Sequence, residues 1–442
     1  MKPIQTVHAV LLALAANCAH AALPIEQWTH SSGARVYLVS SPAIPMLDVS
    51  VDVDAGSRRD PVAQIGLARA TASMLDKGVL AADGQPALDE NALAEAWLDI
   101  GAQFGASASS DRMAFALRTL TEPALLERAV ALAARQLAQP AFPEPVWARD
   151  RERSLAALRE AETRPGTHAG RAYAAAIYRG HPYGAQTTAQ SLGAMGVADM
   201  ARFYRQHVTA CSARISLVGA VDRATADRIA GRLMLAIAPH GCPSPLPVPE
   251  VTPLPAAEDE RIPFQAAQAQ VLLGQPGVQR GDPDFLTLLV GNHILGASGF
   301  TSRLMDEVRE KRGLTYGVYS SFSPGRHAGA FTVNLTTRPD QAEAALALTR
   351  EVVARFVAEG PTAAELQAAK DALIKGFALR LDSNRKLLDN VANIAWNDLP
   401  LDYLDSWTAQ VAVVTVEDIR RAFQRVLAPE RMVSVIVGGK AP

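Results

Sequence analysis

The chain has 442 residues, 49% hydrophobic and 20% charged, with a formal net charge of −2 at neutral pH. That length and apolar content give material for more than one domain with sizeable cores, and heavy alanine use favours helix. Near-neutral charge without a basic run interleaved with aromatics argues against a nucleic-acid partner.

The first element in chain order is a processing signal. Lys2 precedes an apolar run at residues 10–16 and then Ala19-His20-Ala21, a small-x-small site, so residues 1–21 read as a signal peptide cleaved before Ala22. The run is too short to span a bilayer. A lipid anchor at Cys18 is the alternative, and Asn17 before it fits poorly. Cleavage implies a periplasmic or secreted mature chain, and no later segment is long and apolar enough for a membrane helix. Cys211 and Cys242 remain. An oxidising compartment permits a disulfide between them, but spacing alone does not establish one and does not make a zinc site.

Residues 35–39 and 46–54 are strand-like, 64–77 helical, and 105–109 with 113–119 a hairpin around Ser110 and Asp111. Thr121 reads as a helix cap, with Glu122 in the first turn, Pro123 at the first position and an end near Gln139. The proline-rich CPSPLPVPEVTPLP at 242–255 is a stiff extended linker. It separates an N-terminal domain, 22–242, from a C-terminal domain, 259–442, with 243–258 as linker. Beyond it, 268–273 and 331–336 read as strands, and 285–295, 341–359 and 363–381 as helices. The glycines at Gly296 and Gly299 lack the Lys-Ser/Thr pair of a phosphate loop.

The two halves look like copies. VADMARFYRQHVTACSARISLVG at 197–219 aligns without a gap to VEDIRRAFQRVLAPERMVSVIVG at 416–438, each a helix followed by a buried strand ending at glycine. A period this long means duplicated domains. Strands and helices mix without the alternation of a parallel sheet, so the expected class is α+β: two homologous domains, each a mixed β-sheet covered by helices.

SRLMDEVREKRGLTY at 302–316 places Arg309 and Tyr316 seven residues apart around Gly313. Leu304, Val308 and Leu314 outline an apolar stripe, Gly313 stands where a helix C-cap belongs, and TYGVYSSFS reads as a strand. Two long donors aimed at one space could hold a peptide carbonyl or its oxyanion. Spacing alone favours the plainer reading, a solvated arginine and a core tyrosine.

With these pieces in order, the chain resembles the insulinase (pitrilysin, mitochondrial-processing-peptidase-like) family of zinc peptidases, short-chain bacterial type. The resemblance spans GLARATASMLDKG at 66–78, YRGHPYG at 178–184 and ILGASGFTSRLMDEVREKRGLTYGVYSSF at 294–322, among others. It implies two homologous α+β domains forming half of a clam-shell around an extended peptide. The family's zinc helix carries His-x-x-Glu-His, with a later glutamate as third ligand; the base glutamate activates a zinc-bound water. At the matching positions stand Arg69, Ala70, Thr71, Ala72 and Ser73, and the third ligand falls on Ala157, near Glu160 and Glu162. No ligand set for a metal is implied here, and a guanidinium at Arg69 opposes a cation. The nine histidines agree, since no two lie within two helical turns of one another. His181 in GHPYG reads as structural. The family's arginine-tyrosine pair, which holds substrate backbone, is matched by Arg309 and Tyr316. The resemblance therefore implies a zinc-less, non-catalytic subunit that supplies this pair in trans to a homologous zinc-bearing partner acting on peptides. Zinc is expected only in that partner. The alternative is a non-proteolytic peptide-binding or assembly scaffold.

Overall fold

A computed structural model describes residues 24–82, 84–235, 237 and 246–438. The signal-peptide reading and Cys242 lie outside the described residues. Cys211 is disulfide-bonded. No helix among the described residues is long and apolar enough to cross a membrane.

Eight strands precede the linker: β1 (Glu26–Thr29), β2 (Arg35–Ser40), β3 (Met46–Val53), β4 (Gly78–Val79), β5 (Leu88–Asp89), β6 (Gln103–Ala108), β7 (Met113–Leu120) and β8 (Arg214–Gly219). Five follow it: β9 (Asp259–Ile262), β10 (Ala269–Pro276), β11 (Val318–Phe322), β12 (Ala330–Thr337) and β13 (Val433–Val437). The first large sheet runs β1-β2-β8-β3-β7-β6 and the second β11-β12-β10-β13-β9. Read outward from β3 and β10, the orders are the same, with β1 an added edge. In both, one pair is parallel, β2 with β8 and β9 with β13, while the other pairs are antiparallel.

The aligned segments explain part of this symmetry. Helices Val197–His207 and Val416–Val426 each lead into the strand that ends at Gly219 or Gly438. Both glycines have positive φ, 154° and 142°. A Cβ at Gly219 would stand 2.2 Å from Met46 O, and one at Gly438 2.7 Å from Ala269 Cα. Only glycine lets the strand end lie so close to its neighbour.

Each sheet is covered on one face by helices of its own domain. In the first, Val49, Val51, Phe115 and Leu217 pack with Met200, Phe203, Val130 and Ile229; in the second, Leu273 and Val333 pack with Phe356 and Phe423. The opposite faces are covered by an exchange. Helix Asn384–Trp396 lays Leu387, Leu388, Val391 and Ile394 on Tyr37, Val39 and Val218 of the first sheet. Helix Pro165–Tyr178 lays Ala169, Tyr173 and Ile177 on Leu272, Val433, Val435 and Val437 of the second. Each large apolar side chain buried this way contributes roughly 1.5–3 kcal/mol, so the domains are joined through their cores. Polar contacts finish the joint. Arg35, Arg214 and Arg326 converge on Asp398, and Arg112, Arg214 and Arg326 surround the Trp396 ring.

Several boundaries depart from the sequence reading. The helix expected over 64–77 is Leu67–Ser73 alone, preceded by the 3₁₀ turn Val62–Gln64. Thr121 is not the helix cap; Glu122 is, its carboxylate accepting from Leu125 N at 2.9 Å. The helix expected over 363–381 ends at Lys375 and continues as 3₁₀ turn Phe377–Arg380. The helix expected over 285–295 is α through Asn292 and then widens into π-helix His293–Ala297.

Candidate functional site

Helix Leu67–Ser73 is fixed from below. Leu67, Ala68, Ala70, Thr71 and Ala72 are buried, and the Asp60 carboxylate caps it by accepting from Gly66 N (2.7 Å) and Ala68 N (2.8 Å). Burial pushes Asp60 up to about 6 despite those two donors. Arg69 and Ser73, one helical turn apart, share the exposed face. The geometry of a two-ligand helix face is therefore present, but its side chains are a guanidinium and a hydroxyl that donates to Ala70 O at 2.9 Å. Ala72 is buried and Ala157 is exposed on helix Glu144–Ala161. The carboxylates near Ala157 are engaged by cations, Glu160 by Arg164 and Glu162 by Arg171. Among the described residues no group of three His, Cys, Asp or Glu is arranged to hold a metal. The residues here do not fit zinc, because neither methyl groups nor a cation can ligate it.

The second element lies in the C-terminal domain. Leu304, Met305 and Val308 are buried, and the turn carrying Arg309 is a π-helix, Met305–Glu310, rather than the expected α-helix. Lys311 N reaches Asp306 O at 2.9 Å, five residues back. The end is closed by Gly313 with φ 62°, whose N–H donates to Arg309 O (2.8 Å) while Leu314 N donates to Val308 O (3.0 Å). This is the glycine-ended capping pattern with each bond lengthened by one residue, as the wider π-turn requires.

Past the cap, Thr315 is buried and anchors the chain to the sheet. Its hydroxyl donates to Thr336 O at 2.7 Å, and Gly317 N donates back to it at 3.1 Å. With Thr315 turned in, Tyr316 turns out and is 83% exposed, two residues before β11 begins. The core placement of Tyr316 is thereby excluded. Arg309 is half-buried. Its guanidinium lies over the Phe300 ring, with Cζ 4.5 Å from the centroid, and its Nη1 is 3.0 Å from Glu310 Oε1. That ion contact is off hydrogen-bond geometry, so Nη1 makes no hydrogen bond. Nη1 is buried, so the guanidinium nitrogens Nε and Nη2 and the exposed phenol are the donors that flank this cap, able to reach an acceptor brought by another molecule. Among the described residues no hydrogen bond joins Arg309 to Tyr316.

Sequence reasoning missed Phe300 and Asp60. Nothing in the local pattern marks a ring under the arginine; Asp60, six residues before Gly66, was legible only as a cap candidate. His181 is buried and structural in its bonding: one nitrogen accepts from Tyr183 N (3.1 Å), the other donates to Pro249 O (2.9 Å), and its ring lies 5.2 Å from that of His327.

Known proteins match the chain in family and fold. A family model described as insulinase (peptidase family M16) matches residues 35–191, and one described as peptidase M16 inactive domain matches 194–373. The two matches meet before β8, whereas the two sheets part at the linker. A crystal structure of a peptidase M16 inactive domain from Pseudomonas fluorescens is 34% identical, covers 95% of this chain and 98% of its own, and superposes with a TM-score of 0.89. An uncharacterized zinc protease of Streptomyces coelicolor is 30% identical over 56% of this chain and 55% of its own length. A Helicobacter pylori protein named non-peptidase homolog YmxG is 31% identical over 34% of this chain and 35% of its own.

Proposed function

Because the chain belongs to the insulinase (M16) peptidase family, we propose that it is a zinc-less subunit that completes the active site of a zinc-bearing homologue in trans. The observation that carries this is the contrast within one chain. The ligand positions hold Arg69, Ala72, Ser73 and Ala157, while the Arg309–Tyr316 cap carries an exposed phenol beside a half-buried guanidinium. In this role Arg309 and Tyr316 donate hydrogen bonds to the carbonyl region of an extended peptide held between two chains that close like a clam. Charge developing on that oxygen in the transition state strengthens both bonds, so the contribution is to rate and not only to affinity.

Export supports the same picture. The disulfide at Cys211 fits an oxidising compartment, as does the signal-peptide reading of residues 1–21. The second reading, a peptide-binding or assembly scaffold without proteolysis, is favoured by the name of the Helicobacter pylori relative.

The two separate on mixing this chain with a zinc-bearing homologue and following cleavage of a quenched fluorescent peptide. Arg309→Met and Tyr316→Phe are expected to slow turnover while the complex stays intact on size exclusion. Equal turnover with and without this chain would leave only the scaffold.

A further inference from the structure

The ring beneath Arg309 is carried by a turn tied to itself. Ser302, fully buried, donates its hydroxyl to Gly299 O at 2.8 Å, and its backbone N–H reaches the same oxygen at 3.0 Å. Thr301 Oγ1 donates to Ser298 Oγ at 3.1 Å. Beside these bonds Phe300 is 68% exposed. An isolated exposed phenylalanine is ordinary. This one faces a guanidinium at 4.5 Å whose Nη1 is buried beside Glu310 while its side chain stays partly exposed.

Held this way, Arg309 is bounded by an aromatic face, by the Glu310 carboxylate at 3.0 Å and by the π-turn that bears it. A long arginine side chain has many rotamers, and one that is free must be ordered when it binds; order beforehand raises affinity. The ring supplies this through its negative face, which attracts the cation and aligns its plane. Arg303, one residue beyond the turn, is locked by two bonds to Glu365 (2.6 and 2.7 Å), which ties the turn to helix Ala363–Lys375.

We infer that Phe300 is a positioning residue, whose ring fixes the plane of the Arg309 guanidinium so that its Nε and Nη2 N–H groups, the ones not shut in beside Glu310, are presented to a peptide carbonyl. The inference rests on the peptide-holding reading above. Phe300 itself touches no reacting atom. The property that matters is aromaticity and not apolar area, since leucine offers a similar surface with no quadrupole.

The test uses the full chain and two readouts. In the first, selective ¹⁵N-arginine labelling follows the Arg309 Nε–H resonance. Ring current should shift it in the wild type, and Phe300→Leu should abolish the shift while Phe300→Trp keeps it. In the second, fluorescence anisotropy follows binding of a fluorescein-labelled pool of unstructured 15-residue peptides. Phe300→Leu should weaken binding about threefold, Phe300→Trp should not, and Phe300→Leu should add nothing in an Arg309→Met background. An Arg309 resonance unchanged in Phe300→Leu, or leucine binding as phenylalanine does, overturns the inference. If Arg309→Met binds peptide like the wild type, the peptide-holding reading falls and the inference with it, while the resonance still reports the stacking separately.

Discussion

The N-terminal and C-terminal domains share one strand order, and each carries a different corner of interest. After β3 the chain forms helix Leu67–Ser73, whose exposed face has the spacing of a ligand pair but carries Arg69 and Ser73. Before β11 it forms the Arg309–Tyr316 cap, where spacing and donors are both present. The first corner persists because five of its residues fill the core and Asp60 caps it. Its fold therefore outlasts any chemistry, and backbone likeness alone says nothing of activity. The second corner is built with a π-turn, a glycine cap and a ring under the arginine.

The comparison can be broken first at the shared framework. Gly219→Ala forces a Cβ onto Met46 O at a φ only glycine tolerates, and should cost about 3 kcal/mol in urea unfolding. A loss below about 1 kcal/mol would mean that the strand end is not constrained as described.

The sharpest contrast lies between the two corners. In a mixture with a zinc-bearing homologue, Arg309→Met should lower kcat about a hundredfold, as loss of one transition-state donor does. Arg69→Met, on the exposed face of the other corner, should change it less than about twofold. Comparable effects at both positions would erase the distinction.

Smaller effects probe what holds the second corner. Glu365 is partly buried, which raises its pKa, but bonds from Arg303 and Thr362 outweigh this and bring it down to about 2. A depressed carboxylate contributes stability that is present above its unfolded value and lost as pH falls toward about 2. Glu365→Gln should therefore cost about 1–2 kcal/mol at pH 7, after allowance for solvent screening, and the difference should shrink by pH 3. Thermal melts at the two pH values decide it.

His181 gives a smaller dependence at the linker. Burial lowers its pKa, the Pro249 hydrogen bond opposes this, and His327 lowers it further, with Glu250 and Asp111 opposing. The unfolded chain then takes up a proton that the folded chain refuses, so stability should fall as the pH drops below ~6.5. His181→Asn should flatten that slope in urea titrations.

How much of this was legible follows from what each feature depends on. The duplication was legible because Gly219 and Gly438 meet the same steric demand at the same place. Arg309, Tyr316 and Gly313 were legible through spacing. The π-turn was not, because its residues suit an α-helix equally and the choice comes from the buried packing of Leu304, Met305 and Val308. The helix exchange was hidden too: amphipathic residues 384–396 show an apolar face but not which sheet it covers. Residues 64–77 read as one helix because their pattern is apolar, whereas a 3₁₀ turn and the Asp60 cap set its true start.

The central claim is that the two corners belong to different halves of an active site, and cleavage by the purified chain tests it most directly. A quenched peptide is incubated with this chain alone, with a zinc-bearing homologue alone and with both, each with and without a chelator. The account predicts chelator-sensitive cleavage in the mixture, well above either chain alone, and none by this chain on its own. Chelator-sensitive cleavage by this chain alone would contradict it.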